Sequence, residues 1–382
     1  MTILDHDILN FGSDGFDFFT SNDTAIVKKG ITIASTFDGV HSSKSNNTVK
    51  NHGNIIGHWA VNFEVGSSNG TVINALGASI FGSNDGVRMD GSGIETFNNF
   101  GKDAAVISYA VHIFSSASTA IVNNHGELLS GNWAIGIDAA GVVNNFGAMK
   151  AANDAIHIDT LSSNIVVTIN NHVGGVIKGG FDAIYSQEGA FNLNNFGKIV
   201  GFVVDNDPGG ANNVIKNHGV IQGTVVLGAG NDFFQNYGNA KSGPIFGGDG
   251  NDSIIGGNHN DIINGGAGHD LLTGGKGADT FVFNSTLNAV TNVDTITDFS
   301  PKQHDQINLS LSIFTGLPLG PLDNNHFAIG APTNNNPQID YNPATGVLVY
   351  APNGNAGTST EFAILANHAS ITLHAGDLTV IA

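Results

Sequence analysis

A nine-residue repeat between Gly247 and Phe281 constrains the fold of this chain more than any other feature. Each of its four units reads Gly-Gly-x-Gly-x-Asp-x-apolar-x, with His259 as the one substitution at a glycine position. Its aspartates are Asp252, Asp261, Asp270 and Asp279. Glycines supply the positive φ angles of a tight loop, and the residues after each aspartate have the pattern of a short strand. Two units then make one turn, each unit lies beside the unit two places further on, and the sequence predicts a parallel β-roll over residues 241–285.

This stacking predicts metal sites between the loops. Asp252 should lie near Asp270, and two carboxylates at such a distance repel each other unless a cation lies between them. Asp261 and Asp279 should form a second pair of the same kind. Loop carbonyls point into the same gaps, which gives the oxygen-only ligand set that Ca²⁺ prefers, so we expect several calcium ions. Besides the four aspartates, the predicted metal ligands are Gly248, Asp249, Gly250, Gly257, Gly266, Gly268, Gly275 and Gly277.

Two departures from the repeat bear on the strength of these sites. His259 stands where unit two should have its third glycine. Because a histidine resists a positive φ angle, the sequence predicts a strained loop or a weaker site around Asp261. An upstream segment, Leu227–Gln235, fits the repeat except for its first glycine, but it is out of phase with the run. Asp232 is therefore the weaker ligand candidate.

The four units closely resemble the RTX, or haemolysin-type, calcium-binding repeat. The resemblance implies a β-roll that holds calcium ions between its loops. The alternative is a glycine-rich linker that happens to carry aspartates, and four consecutive units in register disfavour that interpretation.

Residues 46–240 carry a second, longer repeat. The tripeptide Asn-(His/Phe/Tyr)-Gly recurs at intervals of about 19 to 27 residues, mostly 21 to 25, with short β-rich runs between its copies. Its copies begin at Asn51, Asn99, Asn124, Asn145, Asn195, Asn217 and Asn236, and Asn74 and Asn171 begin variants with one inserted residue. This pattern predicts a parallel β-helix of about nine coils, with the asparagines stacked at one corner. We expect residues 1–45 to cap this β-helix.

One column of the predicted β-helix contains the candidates for catalysis. Arg88, His112, His157 and Tyr185 recur at equivalent places in their coils, where Arg or His would neutralise a uronate, His would act as base and Tyr as acid. The simpler interpretation is that these side chains only cover a face, and a third is that they bind carbohydrate without catalysis. The layout of β-helix and repeats resembles that of alginate epimerases, but the catalytic signature that we associate with that family is absent. Motifs of zinc proteases, serine hydrolases and phosphate-binding loops are absent as well.

Residues 286–382 resemble the module that follows RTX repeats in serralysin-like and other type I-secreted proteins. The matching features are Asp-Thr-Phe at the last repeat, Asp294-x-Ile296-x-Asp298-Phe299, Asp305-x-Ile307, and an acidic residue followed by an apolar C-terminal tail. In such proteins the uncleaved C-terminus is the export signal. The alternative is a β-rich cap with no role in export.

Charge and composition limit the partners. The chain has 32 acidic and 13 basic residues, and a formal net charge of −19 argues against nucleic acid or anionic membrane as partner and for cations. It has no cysteine, which excludes disulfides and thiolate metal sites. Its N-terminal residues do not have the pattern of a secretory signal, and no segment has the apolar length of a membrane span. With the C-terminal resemblance, we expect an extracellular protein secreted without an N-terminal signal peptide.

The sequence leaves two functional hypotheses. The first is a secreted all-β RTX protein that binds calcium, folds when it meets calcium outside the cell, and uses its β-helix as a structural or adhesive surface. The second is a polysaccharide-active enzyme, a lyase or a C5-epimerase, that uses the β-helix face. The expected partners are calcium, the type I secretion machinery, and a polysaccharide or cell surface, with no nucleic acid and no membrane span.

Overall fold

The computed structural model describes residues 1–114, 117–160 and 164–382. The protein is all-β, with 3% helix, and forms a parallel β-solenoid of about 13 turns. The predicted fold class is confirmed, and the turn count exceeds the predicted nine coils. Coils already form before residue 46, because Thr2–Leu4 pairs in parallel with Thr24–Val27, and Thr24–Val27 pairs with Thr48–Asn51.

The chain divides into two compact units. The first contains residues 1–209 and 219–223, and the second contains residues 210–218 and 224–382. The four-domain division expected from the sequence stays a prediction. No helix within the described ranges has the length and apolar character that crossing a membrane would need.

The first unit is built from two sheets of parallel strands. One sheet contains Thr2–Leu4, Thr24–Val27, Thr48–Asn51, Thr71–Asn74, Gly93–Asn99, Ala117–Asn124, Gly141–Asn145, Val166–Asn171 and Ala190–Asn195. The other contains Ile8–Asn10, Phe16–Asp17, Thr32–Ser35, Val40–Ser42, Asn54–Phe63, Ser79–Met89, Lys102–Ala105, Tyr109–Ile113, Glu127–Ser130, Trp133–Ile137, Ala148–Ala151, Ile156–Asp159, Val176–Glu188, Lys198–Asp205 and Val220–Gln222.

Apolar side chains at alternate strand positions form the core of the first unit. Strands point successive side chains to opposite faces, so one residue in two enters the interior. Because the coils stack in register, these residues form columns of like side chains. One such column is fully buried and consists of Ala25, Val49, Val72, Phe97, Val122, Val143, Ile169 and Leu193.

The predicted asparagine corner is confirmed as a ladder of buried amides. In each coil the side-chain NH₂ group donates to the amide oxygen of the asparagine in the next coil, over 2.8 to 3.0 Å. The ladder contains Asn51, Asn74, Asn99, Asn124, Asn145, Asn171 and Asn195, all fully buried. Each NH₂ group also donates to a backbone carbonyl, as that of Asn124 does to Ala148 over 3.2 Å. The ladder therefore satisfies the polar groups that a buried corner would otherwise leave without partners.

The second unit also has two groups of strands. Val214–Asn217, Phe233–Asn236, Ser253–Gly257, Leu271–Gly275, Asp294–Ile296, Phe327–Ile329, Gln338–Tyr341, Val347–Ala351 and Thr360–Leu365 belong to one, and Val225–Ala229, Ile245–Asp249, Ile262–Ala267, Thr280–Phe283, Gln306–Ser310, Gly320–Pro321 and Leu378–Ile381 to the other. In the nonapeptide region the pairing joins residues 18 positions apart, as Ser253 with Leu271 and Ile245 with Ile263. This is the predicted arrangement, in which each unit lies beside the unit two places further on.

Strands from the C-terminal segment continue both groups. Thr360–Leu365 pairs in parallel with Asp294–Ile296, and Leu378–Ile381 pairs in parallel with Gln306–Ser310. The segment also contains the antiparallel pairs formed by Val347–Ala351 with its two neighbours. Among the residues that the structure describes, the helical ones lie in the 3₁₀ turns Pro301–Gln303, Gly354–Ala356, His368–Ser370 and Ala375–Asp377.

Candidate metal centre

The loops of the nonapeptide units stack so closely that side chains are excluded. Gly250 and Gly268 have φ angles of 127° and 140°, in the region that favours glycine. A Cβ atom on Gly268 would overlap the carbonyl oxygen of Gly250, and one on Gly250 would overlap the carbonyl oxygen of Gly230. The loop carbonyls therefore point along the stack. The remaining predicted glycine ligands, Gly248, Gly257, Gly266, Gly275 and Gly277, also have positive φ angles.

Aspartates of alternate loops form one hydrogen-bonded column. The backbone N–H of Asp252 donates to Oδ1 of Asp270 over 2.8 Å, and the N–H of Asp270 donates to Oδ1 of Asp294 over 3.2 Å. Asp232 belongs to the same column, because its N–H donates to Oδ1 of Asp252 over 2.8 Å. Asp232 is thus out of phase in the sequence, as expected, but in register with the column in the structure. The interval from Asp232 to Asp252 is 20 residues instead of 18, and a longer connection, from Asn236 to Ile245, accommodates the difference.

A second column lies on the other side of the roll. The N–H of Asp261 donates to Oδ1 of Asp279 over 2.9 Å, and the N–H of Asp279 donates to Oδ1 of Asp305 over 3.0 Å. The predicted proximity of Asp261 and Asp279 is thus present, as is that of the pair in the first column. Asp261 is the first aspartate of this second column.

The second carboxylate oxygen of each repeat aspartate is the feature that points to a metal. Oδ2 is buried and without a hydrogen-bond partner in Asp252, Asp261, Asp270 and Asp279. Each Oδ2 lies beside the first glycine of its own unit. A Cβ atom on Gly256 would be 2.6 Å from Oδ2 of Asp261 and 2.7 Å from the carbonyl oxygen of Gly274. A carboxylate oxygen and a carbonyl oxygen therefore border one small gap, and buried oxygens of this kind need a partner.

Burial makes the ionised form of these carboxylates unfavourable. Burial, with a smaller contribution from Asp270 and Asp249, raises the pKa of Asp252 to about 7. Burial and the carboxylate of Asp279 raise the pKa of Asp261 to about 7. Burial likewise raises the pKa values of Asp270 and Asp294, which lie in hydrogen-bond contact. A bound cation would reverse this cost, because an opposite charge nearby favours the ionised carboxylate.

The donor set fits calcium. The groups identified at the gaps are carboxylate and backbone carbonyl oxygens, and hard oxygen ligands in a flexible arrangement suit Ca²⁺. Zn²⁺ favours sites with nitrogen or sulfur ligands, whereas the atoms identified at these gaps are oxygens. Asp249, a predicted ligand, has an exposed side chain, and its carbonyl accepts the N–H of Gly230 over 2.8 Å. Its role in metal binding therefore stays a prediction.

His259 does not carry the strained backbone that the sequence predicted. The described non-glycine residues with positive φ are Asn22, Asn46, Asn69 and His304. His259 therefore lies outside the left-handed region that the third glycines of the neighbouring units occupy. Its carbonyl oxygen still points toward the next loop, since a Cβ atom on Gly277 would lie 2.5 Å from it. The backbone φ angle at His259 therefore differs from that of the equivalent glycines, while the carbonyl keeps the same direction.

Two residues of the columns were not among the predicted ligands. Asp294 and Asp305 extend the two columns beyond the last nonapeptide, and each is buried. The signal that could have identified them is the sequence Asp-x-apolar, as in Asp294-Thr295-Ile296, which is the core of each nonapeptide. The glycines that normally precede it are absent, so the repeat pattern alone ended at Phe281.

The catalytic candidates of the first unit lie together on one outward column. Arg88 pairs with His112 in the strand register, and His157 pairs with Tyr185. Gly136 occupies the coil between His112 and His157. The column thus brings the four predicted side chains onto one face, as the repeat spacing indicated.

The partners of these side chains are specific. The Arg88 guanidinium lies between the rings of Trp59 and Phe114, at 4.7 and 4.5 Å from their centres, and Nη2 is 3.4 Å from Oδ2 of Asp90. Nε2 of His112 is 3.2 Å from Oδ2 of Asp138. Nδ1 of His157 is 2.9 Å from Oδ2 of Asp154, which also accepts the indole N–H of Trp133 over 3.0 Å. A catalytic role for this column stays a prediction.

A third group of possible metal ligands lies near the N-terminus. Single ligand atoms of Asp14, Asp17 and His41 lie within 4.8 Å of one another. Nδ1 of His41 is 2.6 Å from Oδ1 of Asp17, and Nε2 is 3.2 Å from Oε2 of Glu64. Burial lowers the pKa of His41, but these two carboxylates outweigh it and raise the pKa overall. The arrangement is that of an imidazole surrounded by carboxylates.

Comparison with known proteins identifies the nonapeptide region alone. A family model described as the RTX calcium-binding nonapeptide repeat (4 copies) matches residues 237–272 and, in a second placement, residues 246–281. No curated protein matches the chain. The match covers the two aspartate columns from Asp252 to Asp279, and the resemblance of residues 286–382 to a serralysin-like module stays a prediction.

Proposed function

We propose that this chain, whose residues 237–281 are RTX calcium-binding nonapeptide repeats, binds several calcium ions between the stacked loops of its second unit. The observation that carries the proposal is the set of buried Oδ2 atoms without partners in Asp252, Asp261, Asp270 and Asp279. Each of them borders a gap beside a glycine that has no side chain to fill it. Calcium in these gaps would give the Oδ2 atoms a partner and neutralise carboxylates whose pKa values burial has raised.

We propose that calcium binding also triggers folding of the repeat region. The loops are rich in glycine, which loses more conformational entropy on folding than any other residue. Stacked carboxylates without a cation oppose the same step. Where calcium is scarce, as in a cytoplasm, the repeat region stays unfolded, and where calcium is millimolar its binding energy becomes folding energy.

This coupling supports a role outside the cell. RTX repeats are typical of secreted proteins, and an unfolded chain fits a narrow export channel. We propose that residues 286–382 carry the type I export signal and that the β-helix of the first unit is the structural or adhesive surface of the secreted protein. Deleting the last ~50 residues should keep the protein in the cell, as in the family that this segment resembles, and a truncated protein in the medium would place the signal elsewhere.

Calorimetric titration with calcium tests the binding sites directly. The full chain, stripped with chelator, should bind several Ca²⁺ ions, and Mg²⁺ should bind poorly because it dehydrates reluctantly and demands octahedral geometry. Asp270→Asn keeps an oxygen that can accept the N–H of Asp252 and removes one charge. We expect this variant to lose affinity for at least one ion.

Glu361→Gln is the matched control, because it removes one carboxylate from the second unit at an exposed position outside the aspartate columns. Its titration should match that of the unaltered chain. A chain that binds no calcium, or equal losses in the two variants, would contradict binding in the proposed gaps.

A further inference from the structure

A continuous row of rings runs along the outer face of the first unit. We define the aromatic strip as Trp59, Tyr109, His112, Phe114, Trp133, His157 and Tyr185. The ring centres are 3.8 Å apart for His112 and Phe114, 4.1 Å for Tyr109 and His112, 5.0 Å for Tyr109 and Trp133, 5.4 Å for Trp133 and His157, and 5.3 Å for His157 and Tyr185. The guanidinium of Arg88 connects Trp59 to Phe114. The row has a ring or a planar cation at every step.

The strand register explains why the row has no gap. His112, Gly136, His157 and Tyr185 share one outward column, in which the glycine leaves a coil without a side chain. A Cβ atom on Gly136 would overlap the ring of Tyr109. Tyr109 therefore covers the glycine, and its ring fills the place between the two histidines.

The length of the strip suits an extended chain rather than a small molecule. Trp59 and Tyr185 lie on coils that are five steps apart in the strand register. Adjacent parallel strands are about 4.8 Å apart, so the strip is about 24 Å long. A shallow pocket of about 300 Å³ lies at one end, bordered by Trp59, Asn62 and Arg88 among others.

Hydrogen-bonding groups border the rings. Asp138 lies beside His112, and Asp154 lies between Trp133 and His157. Apolar rings next to carboxylates and imidazoles match the chemistry of a sugar, whose ring has an apolar C–H face and a rim of hydroxyl groups. Binding sites in proteins combine aromatic surface with a few placed polar groups in this way.

The charges decide which sugars fit. The surroundings of Tyr109 are negatively charged. Burial and the carboxylates of Asp138, Asp159, Asp85 and Asp154 raise the pKa of its phenol. Asp182 and Asp154 lie close enough to interact as well. The cation within the strip, Arg88, is already held between two rings and paired with Asp90. A polymer of uronate sugars would bring its own carboxylates against this surface and be repelled.

We propose that the aromatic strip binds a polysaccharide chain whose sugars carry no carboxylate. The proposal rests on the proposed role of the β-helix as interaction surface and names the chemistry of its partner. It departs from the uronate lyase or epimerase hypothesis, which needs an arginine that is available to a substrate carboxylate. The outward parts of the rings contact the apolar C–H groups of the sugars, and the aspartates and histidines accept and donate hydrogen bonds at the hydroxyl groups.

Calorimetry on the full, calcium-loaded chain tests the proposal with defined oligosaccharides. The probes are hexasaccharides of a β-glucan, a xylan, a galactan and a chitosan, compared with oligomers of guluronate, mannuronate and galacturonate. At least one of the first group should bind, and the uronates should bind more weakly or not at all. The chitosan arm separates neutral sugars from amino sugars, and binding by either supports the proposal.

Variants locate the binding on the strip. Tyr185→Ala and Trp133→Ala each remove one stacking ring, and each should weaken the binding by about tenfold. Phe146→Ala is the matched control, because it removes an exposed ring that stacks on His125 and His172 on the asparagine corner instead. It should leave the oligosaccharide affinity unchanged. Tyr185→Ala alters only the end of the strip. Its circular dichroism spectrum checks that the variant is folded.

Three outcomes would overturn the proposal. They are tightest binding to a uronate oligomer, equal affinity of the strip variants and the unaltered chain, and no carbohydrate binding by a chain that still binds calcium. A chain that binds the oligosaccharide but no calcium would count against the proposed calcium function and leave the strip proposal standing.

Discussion

At the scale of single residues, calcium affinity should depend more on the position of an aspartate within its column than on which residue occupies a loop position. Asp270 has an aspartate neighbour on each side, Asp252 and Asp294, whereas Asp261 begins its column and has one, Asp279. We therefore expect Asp270→Ala to raise the calcium midpoint by about tenfold and Asp261→Ala by less. Calorimetric titration of the two variants measures this difference, and equal midpoints would contradict it.

His259→Gly provides a separate test of the second column. Since His259 avoids a positive φ angle, the glycine relieves no backbone strain and adds conformational freedom to the unfolded chain. We expect no gain in calcium affinity and a small loss of stability. A lower calcium midpoint in this variant would show that the histidine does weaken the site around Asp261.

A buried glutamate makes the first unit sensitive to pH. Glu95 is fully buried, its Oε2 accepts the N–H of Gly70 over 3.0 Å, and its Oε1 has no partner. Burial raises the pKa of Glu95 from 4.5 to about 7. The folded state therefore binds the proton more tightly than the unfolded state, so the cost of the charge is present above pH 7 and disappears as the pH falls toward 4.5.

Glu95→Gln should accordingly stabilise the protein at pH 8 by about 3 kcal/mol and have little effect at pH 5. Denaturant unfolding of both proteins at saturating calcium measures the difference across this range. Other buried acids titrate equally in both proteins and cancel. A stability difference that does not change with pH would show that the carboxyl group is not the source.

At the scale of elements, the asparagine ladder should resist substitution far more than its outward neighbour. Asn124→Leu removes a buried acceptor of Asn99 and a donor to Asn145, and unpaired buried groups cost about 1 to 3 kcal/mol each. Asn123 forms a parallel, half-buried ladder with Asn98 and Asn144, where water can replace the amide. We expect a loss of about 2 to 4 kcal/mol for Asn124→Leu and under about 1 kcal/mol for Asn123→Leu, by thermal unfolding, and similar losses would contradict the argument.

The elements that the sequence predicted best are those with a strict period. The 18-residue stacking of the nonapeptides and the asparagine corner follow from recurring residues at fixed positions, and period-two alternation with Phe97 and Asn99 would also have placed Glu95 inward. The position of Asp232 in the column could not be predicted from the sequence. The nine-residue period is broken after Asp232, and a longer connection restores the register. The backbone at His259 could not be read either, since a loop can change its φ angles and keep the direction of its carbonyl.

At the scale of the whole molecule, calcium should control one unit more than the other. The first unit is built around apolar columns and amide ladders, with buried acids such as Glu95 distributed among them. The second unit instead stacks seven buried aspartates in two columns, Asp232, Asp252, Asp270 and Asp294 in one and Asp261, Asp279 and Asp305 in the other. Removing calcium leaves those carboxylates without counter-charge, which opposes folding of their loops.

Hydrogen–deuterium exchange of the full chain resolves the two units in one experiment. In chelator, the strands from Ile245–Asp249 to Gln306–Ser310 should exchange rapidly, while the strands from Thr48–Asn51 to Ala190–Asn195 keep most of their protection, because their core needs no ion. Adding Ca²⁺ should restore protection to the first set cooperatively at concentrations up to about the millimolar range, and Mg²⁺ at the same concentration should not. Equal protection of the nonapeptide strands with and without chelator would show that their loops fold without calcium, and loss of protection in both sets would show that calcium binding stabilises the whole chain as one cooperative structure.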